Sequence, residues 1–239
     1  MTGFPSQPAV DALRADLARR RVAVVHDWIT GRRGGEKVLE AIFELAPGAD
    51  LFTLIHLPGS TSSAIEQRRV TASWINRLPG VGRYYRWLLP LFPAAIERLD
   101  LSGYDLVMSV SHCVAKGAVA RGAPHLCYCN TPMRYVWDRF DDYFGHLPAP
   151  LRFLIGLQAK RLRRWDRETA SRVDGWIGNS SFVRQRIVQY YGLDEERVAV
   201  VHPPVEVERF AAARAERDDR YLVVSALVPY KRVDLAVEA

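Results

Sequence analysis

Short apolar runs rich in β-branched residues alternate along the chain with longer stretches whose apolar residues recur at helical spacing. Most of the runs are continuous rather than alternating in polarity, which is typical of strands that are covered on both faces. This order of elements predicts an α/β fold built on a doubly wound parallel sheet. The predicted strands are Val22–His26, Leu51–Ile55, Asp105–Val110, His125–Cys129, Gly175–Ile177, Val198–His202 and Tyr221–Ser225.

The predicted helices lie between these strands, over residues 36–46, 83–99, 150–172 and 181–191. A Pro-Pro pair in "VVHPPVEVERF" is followed by a short, charge-rich stretch that is typical of a linker. We therefore expect four segments along the chain: a leader or short helix over 1–20, an α/β domain over 21–205, a linker over 206–220, and the first strand and partial helix of a second α/β domain over 221–239.

The composition describes a globular protein, because 239 residues with 49% hydrophobic content can bury a sizeable core. No apolar run approaches the ~18 residues of a membrane-spanning helix, and the first twenty residues lack the apolar core of a signal peptide. Cys113, Cys127 and Cys129 do not have the spacing of metal ligands, so we expect core thiols in a reducing compartment. The sequence therefore predicts a cytoplasmic protein.

The formal net charge of +6 is concentrated in residues 151–172, which hold seven basic and two acidic side chains. Arginines also accompany an apolar cluster that comprises Trp87, Leu88, Leu89, Leu91 and Phe92. Two interpretations stay open: solvated charges over core aromatics, or a surface that binds anionic lipid at the membrane. No recognised nucleic-acid module is present, so a nucleic-acid partner is not expected.

The first predicted strand leads into "TGRRGGEKVLEAI", in which Gly34 and Gly35 precede a helical pattern. A strand, a glycine turn and a helix N-terminus together favour anions, although such a pair can also be a plain turn. The turn lacks the G-x-G-x-x-G of dinucleotide sites, and neither a Walker loop nor an Asp-x-Asp pair is present. We therefore expect no NAD, no metal ion and no other cofactor.

Polar residues follow two of the predicted strands at the ends where ligands gather in parallel sheets. His112 follows "DLVMSV"; it is either a site residue or a histidine that bonds nearby backbone. Asn130, Arg134 and Tyr135 follow the next strand, and an arginine there can hold a phosphate with two parallel hydrogen bonds.

Two further motifs complete the set. Asn179 and Ser180, in "GNSSFV", are typical of a helix N-cap. Lys231 and Arg232, in "SALVPYKR", place adjacent cations after the last predicted strand.

Six motifs in order carry a resemblance to a known family: "HDWITGRRGGEKVLEA", "DLVMSVSHCVAKG", "CYCNTPMRYVWD", "GNSSFV", "VVHPPVEVERF" and "VVSALVPYKRVDLAVEA". The chain resembles the retaining glycosyltransferases of family 4, with the GT-B fold, and among them a bacterial mannosyltransferase-like subgroup. Such enzymes join two Rossmann-like domains across a cleft, with the acceptor mainly on the first domain and the nucleotide-sugar mainly on the second.

The resemblance implies roles for the candidate residues. Gly34 and Gly35 would face the donor diphosphate or the acceptor, and His112 would contact the transferred sugar or support the charge that develops beside it. Lys231, with Arg232 adjacent, would grip the donor diphosphate and stabilise the leaving group.

The resemblance also implies a reaction. A hexose, with mannose from GDP-mannose as the first candidate, would pass with retained configuration to a glycan or lipid-linked acceptor. If the basic segment over 151–172 binds anionic lipid, the protein would lie at the inner face of the membrane. The alternative from another class is a non-catalytic, membrane-associated module that captures the acceptor or a partner.

Overall fold

The structure, a computed structural model, describes residues 6–32, 34–207, 219, 221–225, 227 and 231–239. Its strands are β1 Val22–Ile29, β2 Asp50–His56, β3 Val70–Ala72, β4 Leu106–Ser111, β5 His125–Cys129, β6 Gly175–Gly178 and β7 Val198–Val200. Its α-helices are α1 Gln7–Ala18, α2 Gly34–Leu45, α3 Ser63–Glu66, α4 Phe92–Glu97, α5 Arg134–Trp137, α6 Phe140–Phe144, α7 Ala149–Glu168, α8 Ser181–Tyr191 and α9 Val233–Glu238.

The seven strands form one parallel sheet in the order β3-β2-β1-β4-β5-β6-β7. The strand order reverses direction between β1 and β4, so the crevice that binds ligands in such sheets opens at the carboxyl ends of these two strands. The register pairs His26 of β1 with Val110 of β4. The predicted doubly wound α/β fold is confirmed.

Both faces of the sheet are covered, as the continuous apolar runs indicate. Along β1, Ala23 and Val25 pack into a cluster with α4 and α7, whereas Val22 and Val24 pack into another cluster with α2. The three cysteines are buried and free, as expected.

Two predicted elements differ from the structure here, and one strand was not predicted. β1 continues to Ile29 rather than ending at His26. The helix expected over 83–99 is divided into 3₁₀ turns at Val81–Arg83 and Tyr85–Leu91 and the short helix α4. Pro90 and Pro93 lie in this region, and proline lacks the amide proton that a continuous helix needs. The three-residue strand β3 was not predicted; it is too short to show a pattern.

The strand expected at Tyr221–Ser225 is wrong: these residues form no regular element, and their apolar side chains are exposed. A strand requires a partner for its backbone groups, and the described strands form no ladder with this segment. Most of the expected linker over 206–220 lies outside the described residues.

A buried ion pair fastens the turn after β4 to the helices beside it. Lys116, only 1% exposed, lies with its Nζ 3.0 Å from Asp166 Oδ1. The same ammonium donates to the Asp166 carbonyl at 2.5 Å and to Thr169 Oγ1 at 3.0 Å. Asp166 Oδ2 accepts from Trp137 Nε1 at 2.7 Å and from the Tyr191 hydroxyl at 3.0 Å. Elements α5, α7 and α8 thus meet at one carboxylate.

We expect Lys116→Met to lower the free energy of unfolding by about 3–5 kcal/mol, because Asp166 would remain buried without its cation. The double variant Lys116→Met/Asp166→Asn should recover part of this loss, since the amide still accepts from Trp137 or Tyr191. Urea denaturation of both variants measures the difference. A double variant no more stable than the single one would contradict this account.

Candidate active site

Polar residues from neighbouring strands meet at the crevice edge of the sheet. His26 and Asp27 lie in the last part of β1, and His112, Asn130 and Asn179 directly follow β4, β5 and β6. Because carboxyl ends of parallel strands share one edge, the sheet brings these side chains to the same side of the molecule. Of the predicted site residues, His112, Asn130 and Gly35 gather here.

Asp27 organises this edge. Its carboxylate is fully buried and accepts four backbone N–H groups of the segment after β4. Oδ2 accepts from His112 and Cys113 at 2.6 and 2.8 Å, and Oδ1 accepts from Val114 and Ala115 at 2.6 and 2.7 Å. These amides would otherwise form an anion-binding nest. They are therefore directed inward, away from any ligand.

His112 is held between Asp27 and an aromatic ring. Its Nδ1 lies 3.2 Å from Asp27 Oδ2, and its ring meets Trp28 edge-on with 4.4 Å between centroids. A lone pair on Nδ1 would be repelled by the carboxylate, so the ring proton belongs on Nδ1. The side chain is 28% exposed, and Nε2 makes no hydrogen bond to the part of the chain that the structure describes. His112 therefore has a nitrogen to offer a substrate.

His26 is a second histidine at this edge, 1% exposed, with its ring centroid 5.7 Å from that of His112. Its Nδ1 lies 2.9 Å from the Val110 carbonyl oxygen, which can only accept, so Nδ1 carries the proton. The pKa of His26 is lowered to about 4, mainly by burial. The neighbouring His112 also lowers this pKa, and its effect is larger than the opposite effect of Asp27. At neutral pH His26 is uncharged, with its lone pair on Nε2.

We expected the glycine pair to form a turn before the helix, and this is wrong. Both glycines belong to the first turn of α2, and neither has a positive φ. The chain bends earlier, at Thr30 and Gly31. A Cβ at Gly35 would lie 3.3 Å from His26 Cε1 and 3.5 Å from Asn130 Nδ2, whereas one at Gly34 would meet nothing within 4 Å. Only Gly35 therefore lies close to the site.

Asn130 joins two strand ends. Its amide N–H donates to the Ser111 carbonyl at 2.8 Å, and its own carbonyl accepts from Asn179 Nδ2 at 2.9 Å. Its side-chain Nδ2 is buried and has no hydrogen-bond partner among the described residues. The expected N-cap is confirmed at Ser180, whose Oγ accepts from the Val183 amide at 3.2 Å.

Tyr135 and Arg134 begin helix α5. The Tyr135 hydroxyl lies 2.6 Å from Cys113 Sγ, and burial raises the pKa of both groups well above their ordinary values. Tyr135 thus supports the segment that Asp27 holds. Arg134 is partly buried.

Lys231 and Arg232 lie in an exposed segment just before α9. The Arg232 guanidinium donates to the Asp234 carboxylate at 2.8–3.1 Å. Arg232 makes no hydrogen bond to the described residues of the crevice edge. The phosphate-binding role of both residues stays a prediction.

Sequence reasoning missed His26 and Asp27 as site residues. Both lie within β1, although the predicted strand ended at His26 and left Asp27 outside it. An acidic side chain inside a strand that is covered on both faces must find partners to be buried, so extending the strand to Ile29 would have marked Asp27.

The family model of Glycosyltransferase Family 4 matches residues 50–209, more than half of the chain. The protein belongs to Glycosyltransferase Family 4. No curated protein sequence matches the chain.

Two solved structures are similar to the chain at low sequence identity. The lipopolysaccharide outer core galactosyltransferase WaaB has a TM-score of 0.42 at 15% identity, over 77% of this chain and 46% of WaaB. The wall teichoic acid polymerase TagF has a TM-score of 0.40 at 14% identity, over 76% of this chain and 39% of TagF. The chain therefore spans less than half the length of either structure.

We expect Asp27→Asn to expose the segment after β4. An amide has one acceptor oxygen where the carboxylate has two, and its NH₂ group would face backbone donors. The free energy of unfolding should therefore fall by about 2–4 kcal/mol. Amide hydrogen exchange at residues 112–115 should accelerate. Asp174→Asn is the matched control, because among the described residues Asp174 accepts a single backbone amide, that of His125, at 2.8 Å. Equal effects of the two substitutions would contradict the organising role of Asp27.

Proposed function

We propose that the protein is the acceptor-side part of a retaining GT-B glycosyltransferase that moves a hexose from a nucleotide-sugar to a glycan or lipid-linked acceptor. The observation that supports this proposal is the convergence of His26, His112, Asn130 and Gly35 at the crevice edge between β1 and β4, in a chain that belongs to Glycosyltransferase Family 4.

The reaction breaks the bond between the anomeric carbon and the donor diphosphate and forms a glycosidic bond to an acceptor oxygen. The acceptor proton passes to an oxygen of the leaving diphosphate, so no catalytic carboxylate pair is required. His112 would contact the transferred sugar through Nε2. Lys231 and Arg232, with Gly34 and Gly35 as further candidates, would hold the diphosphate. Asn130, Arg134 and Tyr135 would line the acceptor side or the cleft.

GDP-mannose is the donor to test first, because the motifs resemble a mannosyltransferase-like subgroup. The decisive experiment incubates the full-length protein with a panel of nucleotide-sugars and a lipid-linked acceptor and follows sugar transfer. The anomeric configuration of the product reports retention. Acceptor binding without transfer from any donor would favour the non-catalytic module instead.

We further propose a cytoplasmic location, peripheral at an anionic membrane surface, on the evidence of α7. Its first half exposes four apolar side chains, Leu151, Phe153, Leu154 and Leu157, to between 43% and 65%. Its second half lines a surface cleft of about 290 Å³ with Lys160, Arg163, Arg164, Arg167 and Glu168. Apolar side chains beside a basic cluster are what a lipid surface with anionic headgroups attracts. No helix within the described ranges is long and apolar enough to cross a membrane.

Fewer residues are exposed for contact with lipid than the sequence suggested. Phe92 is buried, Leu88 and Leu89 pack against the core, and only Trp87 and Leu91 of the apolar cluster are exposed. Arg163 is engaged as well, since its guanidinium donates to the Val136 carbonyl, at 2.9 Å from Nε. Arg161 and Arg164 are exposed, so we take these two arginines as candidates for contact with lipid headgroups.

We expect His112→Ala to lower the transfer rate of the full-length protein by about a hundredfold and the free energy of unfolding by only about 1 kcal/mol. His56→Ala is the matched control, because His56 ends β2 at the same edge of the sheet but its Nε2 is paired with Glu66 at 3.0 Å. If His112→Ala loses fold and activity in parallel, His112 is a structural residue.

We expect the double variant Arg161→Gln/Arg164→Gln to sediment less with vesicles that contain phosphatidylglycerol. The difference should shrink as salt rises, because exposed charges are screened within ~10 Å at 0.1 M. The control variant Arg14→Gln/Arg19→Gln makes the same charge change on two exposed arginines, one in α1 and one directly after it. An equal loss in that control would assign the effect to net charge rather than to α7.

A further inference from the structure

The second half of α7 forms a cleft whose positive charge is not neutralised by the protein. The cleft has a volume of about 290 Å³ and is lined by Lys160, Arg163, Arg164, Arg167 and Glu168. Within the described ranges, none of these four cations forms an ion pair with a carboxylate. Like charges three and four residues apart on a helix repel each other, so the cleft favours a bound anion.

Two of the guanidinium groups in the cleft are held in position by the protein. Nε of Arg163 donates to the Val136 carbonyl at 2.9 Å, and Nε of Arg167 donates to the Tyr190 carbonyl at 3.0 Å. Both guanidinium groups lie over the Trp137 ring, 5.3 and 5.4 Å from its centroid. Tyr190 stacks on the same ring with 4.6 Å between centroids. Groups that are already ordered lose less entropy when they bind a ligand.

The size and charge of the cleft indicate a phosphate group. Four cations face a single carboxylate, that of Glu168, and a guanidinium can bind two phosphate oxygens in parallel. The volume is close to the lower end of the roughly 300–1,000 Å³ that small-molecule sites span, which suits one headgroup better than a nucleotide-sugar. A phosphomonoester has three strong acceptor oxygens and carries close to two negative charges at neutral pH. It therefore matches these cations better than a phosphodiester with its single charge.

The face of α7 that carries the cleft continues into apolar side chains. Phe153, Leu157, Lys160 and Arg164 are spaced by four, three and four residues, so they lie along one face of the helix. Phe153 is 65% exposed and Leu157 is 43% exposed. A ligand with a phosphate at one end and a hydrocarbon chain at the other would cover both parts of this face, whereas a soluble phosphate would leave the apolar part in water.

We infer that the cleft in the second half of α7 is a discrete site for one lipid whose headgroup is a phosphomonoester. This inference rests on the proposed location at an anionic membrane and names the lipid group that is recognised there. The lining residues all belong to α7, so the site is separate from the crevice edge.

The test measures sedimentation of the full chain with phosphatidylcholine vesicles that contain either phosphatidic acid, a phosphomonoester, or phosphatidylglycerol, a phosphodiester. Vesicles with about 10% phosphatidic acid and about 20% phosphatidylglycerol have nearly the same surface charge, because a phosphomonoester carries close to two negative charges. Attraction to surface charge alone treats the two vesicles alike. We expect the full chain to bind the phosphatidic acid vesicles about fivefold more tightly.

Two neighbouring arginines of α7 are a matched pair for this test. Arg161 and Arg164 are both exposed, and of the two only Arg164 lines the cleft. Arg164→Gln should lower the preference for phosphatidic acid to about twofold or less, and Arg167→Gln should have the same effect. Arg161→Gln removes the same charge outside the cleft, so it should weaken binding to both vesicles and leave the preference unchanged. Thermal denaturation checks that all three variants are folded.

The outcomes separate the discrete site from general attraction to membranes. Equal binding to the two vesicles, or an equal loss of preference in Arg161→Gln and Arg164→Gln, overturns the site and leaves the proposed membrane location standing. Glycerol 3-phosphate is the soluble probe, and we expect it not to displace the chain from phosphatidic acid vesicles at the same phosphate concentration. Displacement would assign the cleft to a soluble phosphate and overturn the lipid. A chain that binds neither vesicle contradicts both the inference and the proposed location.

Discussion

The crevice edge depends on the buried carboxylate of Asp27. Desolvating a carboxylate costs several kcal/mol, and four charge-assisted hydrogen bonds of 2.6–2.8 Å from successive backbone amides offset that cost. The same carboxylate sets the orientation of His112 through Nδ1. One side chain in β1 thereby fixes the backbone after β4 and the imidazole that this backbone carries.

The charges of this arrangement affect which ligand groups the crevice edge can bind. The amides after β4 are occupied from inside, and Asp27 adds negative charge beneath them, so the β4 side suits neutral hydroxyl groups better than phosphate. His26 is kept neutral by its burial and therefore adds no positive charge to the start of α2. In the proposed reaction the donor diphosphate must then bind cations from another part of the chain, which is the role proposed for Lys231 and Arg232.

The sequence predicted what short-range patterns determine and missed what depends on distant partners. Continuous apolar runs were enough to predict six strands of the sheet, and the strand ends were enough to place His112 and Asn130 at one edge of it. His26 and Asp27 were missed because their hydrogen-bond partners are Val110 and residues 112–115, more than eighty positions away. The same reasoning explains Tyr221–Ser225, whose composition suits a strand but whose backbone has no strand beside it among the described residues.

Helix α7 connects the proposed membrane surface to this edge. Its second half supplies Asp166, which pairs with Lys116 one residue beyond the amides that Asp27 holds. The contact is tight, because a Cβ on Gly117 would lie 2.4 Å from the Trp165 ring, so only glycine lets the helix approach. Packed interiors of this kind shift between discrete arrangements rather than deforming continuously. A displacement of α7 would therefore act on Lys116, which directly follows the segment that carries His112.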